Sequence, residues 1–395
     1  MVDMMFSFKK YNVRNKIFLF LFSFFVCSTL NYVLADSTKE FVDIVSPSAV
    51  VMDSDSGRVL YEKNADDKRK IASLTKVMTS ILLVENCKMD EMIEIPAAAT
   101  WIGGSEVGLK KGDKVSARSL LYGMLLPSGN DCAYTTGLHI GGTIENFAKM
   151  MNEKAKEIGA TNTNFTNPHG LDDDENYSTA KDMALITRYA FKNKYIDEAV
   201  GTKSITINFG SFSKLLTNTN ALLRTYPQAD GGKTGFTNGA NRCLIASATS
   251  GDSRYISVLL GADTTQKRFG ESKEILEESF KRYTNMDVSK YLNFYIKIPV
   301  VKGNIEYYEK QISDNLLLPL TQEEFDGIYV KQELIQNIEA PLDVGTKLGV
   351  IRVYLPSGEI IYENEVFLDE GINKKSILDY MKDGFENMFK ERSRL

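Results

Sequence analysis

Histidine and cysteine are scarce in this chain, and positive charge is nowhere in excess. Its 395 residues hold two histidines, His139 and His169, and four cysteines. With so little imidazole, a metal cluster would have to rest on carboxylates. The acidic run 172–175 is the candidate, but its composition reads as a solvated loop, so no metal is expected. Cys27 lies inside an apolar N-terminal run. The remaining Cys87, Cys132 and Cys243 are odd in number, and no Cys-x-x-Cys spacing occurs. Neither a disulfide framework nor a zinc site is suggested by that pattern. Lysine and arginine number 47 against 52 acidic residues, for a formal net charge of −5 and a pI near 5.4. No basic run with interleaved aromatics occurs, which argues against a nucleic-acid surface. Internal repeats, low-complexity tracts, a Gly-rich phosphate loop and a glycosidase-like carboxylate pair are absent too.

Hydrophobic content of 43% and charged content of 25% are those of an ordinary globular protein. The length favours two domains over one. At the N-terminus Lys9, Lys10, Arg14 and Lys16 precede IFLFLFSFFVCSTLNYVLA, and Val33-Leu34-Ala35 offers small-residue cleavage before polar DSTKEF. Residues 1–35 are therefore expected to be a secretory signal peptide, with a retained membrane anchor as the competing reading. Val26 ahead of Cys27 is wrong for a lipoprotein signal. Cleavage removes four positive residues and one negative, so the mature chain carries about −8 rather than −5.

The chain then alternates in pattern. AVVMD and RVLYEKN flank SDSG and predict a β-hairpin. IASLTKVMTS opens an apolar helix, and residues 115–160 are helical apart from a break at LLPSGND. NPHGLDDDENYS is a loop and STAKDMALITRYAF a helix with an opening cap. From about 203 the segments SITINF, GGKTGFT, RCLIASATS and RYISVLLGA read as strands, before the helix ESKEILEESFKRY. A boundary is expected between 284 and 292, followed by short alternating strands (FYIKIPV, IEYYEKQI, GVIRVYLP, EIIYENEVFL) of a small β-rich domain. The tail, 373–395, places Ile377, Met381, Phe385, Met388 and Phe389 on one helical stripe. Such a stripe packs against the β domain or lies on a membrane surface.

Ser73 and Lys76 are three apart at the start of the apolar helix, where a serine is commonly an N-cap. The same spacing puts the ammonium of Lys76 within reach of the Ser73 hydroxyl, and a serine nucleophile needs such a base beside it. Both readings stand on this stretch alone. Two further motifs bear on the choice: Ser128-Gly129-Asn130 at the break between helices, and Lys233-Thr234-Gly235 in a strand. Ser-x-x-Lys, Ser-x-Asn and Lys-Thr-Gly in that order resemble the signature of penicillin-binding proteins and class A β-lactamases. The stretches EVGLKKGDKVSARSLLYGMLLPSGNDCA and NPHGLDDDENYSTAKDMA extend the resemblance over nearly all of the mature chain. The chain is similar to the low-molecular-mass penicillin-binding proteins, and within them to the secreted serine-type D-alanyl-D-alanine carboxypeptidases.

That resemblance implies an α/β (α+β) transpeptidase/β-lactamase-like catalytic domain with an antiparallel sheet over 36–284, then a small β-rich domain over 285–372. It implies an amphipathic C-terminal helix and no cofactor. The expected substrate is a peptidoglycan stem peptide ending in D-Ala-D-Ala, with β-lactams as covalent inhibitors and an extracytoplasmic location. Ser73 would be the nucleophile, Lys76 its base and Ser128 a proton relay. Asn130 would hold the substrate amide, and Lys233, Thr234 and Gly235 would bind its carboxylate end. The N–H groups of Ser73 and Phe236 would form the oxyanion hole. Arg268 would be a further carboxylate contact, or else merely a surface charge at a helix start. His169 is expected to be a structural loop residue, and Cys132 buried packing. Some relatives have histidine where this chain has Phe236. A β-lactamase would need a deacylating glutamate, and no Glu-x-x-Leu-Asn segment lies between Asn130 and Lys233. A D,D-endopeptidase and a non-catalytic β-lactam receptor share the same residues.

Overall fold

The computed structural model describes residues 41–313 and 315–382. The signal-peptide segment 1–35 lies outside the described residues, as do Phe385, Met388 and Phe389 of the tail stripe. A five-stranded antiparallel sheet forms the centre. Its strands are β1 (Ser48–Asp53), β2 (Val59–Lys63), β3 (Ala229–Thr237), β4 (Asn241–Ser250) and β5 (Ser253–Ala262). They run in the order β2-β1-β5-β4-β3.

The sheet is covered on both faces, which is why β5 reads as an almost unbroken apolar run rather than as an alternation. Tyr255 and Ser257 point to helix Thr265–Arg282: the Tyr255 ring stacks on Phe280, and Ser257 Oγ lies 2.7 Å from Ser272 Oγ. The intervening Ile256, Val258 and Leu260 join the main core from the opposite face. That core is shared with α1 (Lys76–Asn86), α2 (Ala117–Leu125), α3 (Asn130–Gly141), α4 (Ile144–Ile158) and α5 (Ala180–Phe191). Every residue of α1 from Lys76 to Leu83 is buried, so α1 is a core helix rather than an amphipathic surface one. The expected hairpins at 53–59 and 250–253 are present. A short pair, Met92–Glu94 with Lys114–Ser116, and the helix Lys194–Gly201 are additions to the sequence reading.

A second apolar cluster runs from Val288 to Ile372. Strands Phe294–Val301 and Tyr307–Ile312 pair antiparallel there. Lys347–Tyr354 is paired with Tyr329–Leu334 on one side and Ile360–Phe367 on the other. Arg58 next to β2 ties this part to the sheet, donating to the Pro319 carbonyl and to the carboxylate of Glu324. Residues 377–382 begin the expected tail helix, with Ile377 and Met381 exposed rather than packed. Among the described residues no helix is long and apolar enough to cross a membrane.

Candidate active site

Ser73 is not a helix cap. It lies inside a 3₁₀ turn, Ala72–Thr75, and α1 starts only at Lys76 with no side-chain cap. Ala72 adopts φ +48, a left-handed conformation unusual for alanine, and the bend it makes sets Ser73 at the head of α1. Two close approaches hold this turn. Gly235 of β3 lies so near that a Cβ there would sit 2.9 Å from the Ile71 carbonyl oxygen and 3.3 Å from the Ser73 nitrogen. Gly170, at φ +84, presses on the Ala72 carbonyl from the other side. Ser73 is half-buried while its neighbours Ala72, Leu74 and Thr75 are buried.

Lys76 is completely buried, and its Nζ lies 2.9 Å from Ser73 Oγ. It donates to Asn130 Oδ1 at 2.7 Å and to the His169 carbonyl at 2.6 Å. Burial lowers its pKa well below the ordinary lysine range, and the positive charge of Lys233 lowers it further. In the neutral amine the two carbonyl-type acceptors take both remaining N–H groups. The lone pair is then left facing the Ser73 hydroxyl, as a general base requires.

Lys233 is also fully buried; it donates to Ser128 Oγ at 2.9 Å and to the Thr234 carbonyl at 2.8 Å. Burial, with Arg268 nearby, brings its pKa down to about 7. Ser128 stands at φ +69, a strained turn that aims its hydroxyl between β3 and α3. Arg268 is only 8% exposed, so the reading of it as a surface charge is corrected. Its Nη1 donates to the Gly235 carbonyl at 3.2 Å, while its buried Nε has no partner among the described residues. Lys233 and Arg268 thus place buried positive charge beside the Lys76 amine, and none of the three pairs with a carboxylate among the described residues. Leaving such charge uncompensated is costly, and an anionic ligand would relieve it.

The family model for D-alanyl-D-alanine carboxypeptidase, peptidase S11, matches residues 35–264. D-alanyl-D-alanine carboxypeptidase DacF of Bacillus subtilis (strain 168) is 35% identical over 343 residues, 85% of this chain and 88% of that protein. D-alanyl-D-alanine carboxypeptidase DacC of Escherichia coli (strain K12) is 32% identical, covering 86% and 87%. The crystal structure of penicillin-binding protein 5 from Haemophilus influenzae superposes with a TM-score of 0.74 at 29% identity, over 85% of this chain and 99% of that one. This chain belongs to the D-alanyl-D-alanine carboxypeptidase family.

In this family member Asn130 is engaged at both ends of its amide, since Nδ2 donates to the Gly103 carbonyl at 2.7 Å. Thr234 Oγ1 lies 2.6 Å from Thr219 Oγ1, a residue that no sequence signal had marked. Asp131 was missed as well. Its carboxylate accepts from the backbone N–H groups of Val107, Gly108 and Leu109 at 2.8–3.0 Å and so pins the segment that reaches Gly103. The acidic run is the exposed loop expected of it, though Asp172 accepts from Thr237 Oγ1 and Gly239 N and so ties that loop to the end of β3. His169 is buried and neutral, its pKa down to about 3 through burial and then Lys76; its Nδ1 accepts from Leu171 N. Burial pushes the Cys132 thiol up, well outside the range of a thiolate nucleophile. Phe236 is 53% exposed, with the Arg242 guanidinium 4.9 Å from its ring centroid.

Proposed function

We propose that the chain is a serine-type D-Ala-D-Ala carboxypeptidase that trims the terminal D-alanine from peptidoglycan stem pentapeptides. The observation that carries this is the Lys76 amine, completely buried, with no carboxylate partner among the described residues and 2.9 Å from Ser73 Oγ. Ser73 gives its proton to Lys76 and attacks the carbonyl carbon of the penultimate D-alanine, with the N–H groups of Ser73 and Phe236 receiving the developing oxyanion. The C–N bond then breaks, and the leaving D-alanine takes a proton relayed through Ser128. Water hydrolyses the resulting ester. Lys233, Thr234 and Arg268 hold the terminal carboxylate, which answers the uncompensated buried charge. The same reading takes residues 36–284 as the catalytic domain and 285–372 as a β-rich spacer. Export by residues 1–35 would put the enzyme outside the cytoplasm, where Ile377 and Met381, exposed at the start of the tail, are available to a membrane surface or to the β-rich part. Incubation with a pentapeptide ending in D-Ala-D-Ala should release D-alanine; intact peptide after prolonged incubation with folded protein would refute the assignment.

The two lysines work in opposite protonation states, so kcat/KM for the peptide should be bell-shaped in pH. Activity rises as Lys76 loses its proton and falls as Lys233, charged below about 7, loses its own. An arginine keeps its charge across this range. Lys233→Arg should therefore retain reduced activity with its falling limb moved well above pH 9. An unmoved falling limb would assign that titration to another group.

Among the described residues no carboxylate hydrogen-bonds to Ser73, Lys76, Ser128 or Lys233. A penicilloyl ester therefore has no carboxylate to hold and activate a water, and losing one good general base costs about 10²–10⁴-fold in rate. The opened β-lactam stays attached and shields the ester, whereas D-alanine departs. The penicilloyl-enzyme should outlast many turnovers of peptide, as followed by mass spectrometry. Penicillin turnover matching peptide hydrolysis on one preparation would point to a β-lactamase instead.

A further inference from the structure

At the far end of α1 from the catalytic residues, three metal-ligating side chains of different kinds meet. Cys87 caps the C-terminus of α1, Glu91 lies in the turn that follows, and His139 lies in the last turn of α3. The Cys87 sulfur, a Glu91 carboxylate oxygen and an imidazole nitrogen all lie within 4.8 Å of one another, and His139 Nε2 is 3.0 Å from Glu91 Oε1. We propose that Cys87, Glu91 and His139 bind one zinc ion, which clamps the C-terminal ends of α1 and α3 together.

The donor set selects the metal. A thiolate with an imidazole suits zinc and disfavours calcium or magnesium, while one carboxylate brings the protein ligands to three and leaves the fourth position to water. Tetrahedral zinc with ordinary bond lengths holds its ligand atoms about 3.3–3.8 Å apart, so the observed spacing needs only small side-chain rotations. The ligand loop is already fixed: Ala117 N donates to the Glu91 carbonyl at 2.9 Å and Arg118 N to the Met89 carbonyl at 3.0 Å. The thiol itself makes no hydrogen bond among the described residues, although Glu91 is beside it. An open groove of about 760 Å³ lined by Cys87, Lys88, Met89, Asp90, Met92 and Arg118 reaches the cysteine from one side, while Glu91 and His139 lie outside that groove. Binding converts Cys87 S–H to a Zn–S bond and releases that proton to solvent. The imidazole moves its own proton to Nδ1, which frees Nε2 for the metal.

The placement, a helix length away from Ser73, gives the ion a clamping role and no part in the serine chemistry. α1 presents Lys76 at its start and Cys87 just past its end, and 11 residues of helix span about 16 Å. α3 likewise begins with Asn130 and reaches His139 in its last turn. Fixing both helices at one end steadies the pair whose other ends meet at Nζ of Lys76.

The test is titration of the metal-free protein with Co²⁺, then Zn²⁺. One thiolate-to-cobalt charge-transfer band per chain is expected, displaced by one equivalent of zinc. Zinc at about a hundredfold over Kd should raise Tm by about 5 °C. Cys87→Ser should abolish the band. His139→Gln, at a surface position, should weaken zinc at least tenfold while leaving the metal-free Tm unchanged, which keeps the test decisive should Cys87→Ser fold poorly. A band that survives Cys87→Ser, affinity unaltered in His139→Gln, or a Tm indifferent to zinc would each overturn the proposal.

Discussion

Ser73→Ala is expected to abolish covalent labelling by penicillin and to lower D-alanine release by about 10⁴–10⁶-fold, the scale seen when a serine nucleophile is removed from a preassembled site. The loss should be chemical, not structural. Among the described residues Ser73 Oγ has one hydrogen-bond partner, Lys76 Nζ, and that amine keeps Asn130 Oδ1 and the His169 carbonyl when the hydroxyl is gone. Deleting one half-exposed hydroxyl costs about 1 kcal/mol at most, so Tm should move by only a few degrees. The decisive comparison sets fluorescent-penicillin labelling beside the far-ultraviolet circular dichroism of the same sample. Full-strength labelling of the alanine variant would remove Ser73 from the mechanism. Loss of labelling together with loss of structure would remove the argument that its role is purely chemical.

Gly170→Ala should be almost as damaging, although residue 170 takes no part in the chemistry. An added Cβ would lie 1.9 Å from the Ala72 carbonyl oxygen, 2.4 Å from its carbon and 2.8 Å from Thr75 Oγ1. Two of those atoms are backbone, and no rotamer change relieves the clash. The φ of +84 adds left-handed strain to it. Loop 167–171 and the Ala72–Thr75 turn must separate, and the turn carries Ser73. A displacement near 1 Å at a reacting group costs about 10²-fold in rate. Penicillin acylation should slow by at least that much, with Tm lower by about 5 °C or more. Gly159→Ala separates the two causes. Gly159 has a similar φ of +91 but nothing within 4 Å of the added carbon, so it should lose a little stability and no acylation rate. Wild-type acylation in Gly170→Ala would mean that the contact with Ala72 does not position the nucleophile.

Sequence alone carried whatever depends on near neighbours. The hairpin at SDSG, the strand ending in Lys-Thr-Gly and the break at LLPSGND follow from alternation and turn chemistry over a few residues. The order Ser73-x-x-Lys76, Ser128-x-Asn130, Lys233-Thr-Gly is likewise visible as text. The same short range left Ser73 open between cap and nucleophile, because the left-handed φ of Ala72 goes with close approaches by Gly235 and Gly170, far away in the chain. Tertiary structure alone decided the protonation chemistry. A lysine becomes a base when water is removed from it and a second cation is placed nearby, and neither Lys233 nor the roof over Lys76 is near residue 76 in sequence. Arg268 stood between carboxylate contact and surface charge in the sequence, and the approach of β3, which buries it, removes the second reading. Thr219, Asp131 and Gly170 left no mark because each acts by touching backbone or hydroxyl groups of a remote segment. Cys87, Glu91 and His139 escaped any spacing rule for the same reason: α1 and α3 must first pack side by side before ligands 48 residues apart come within one ion's reach.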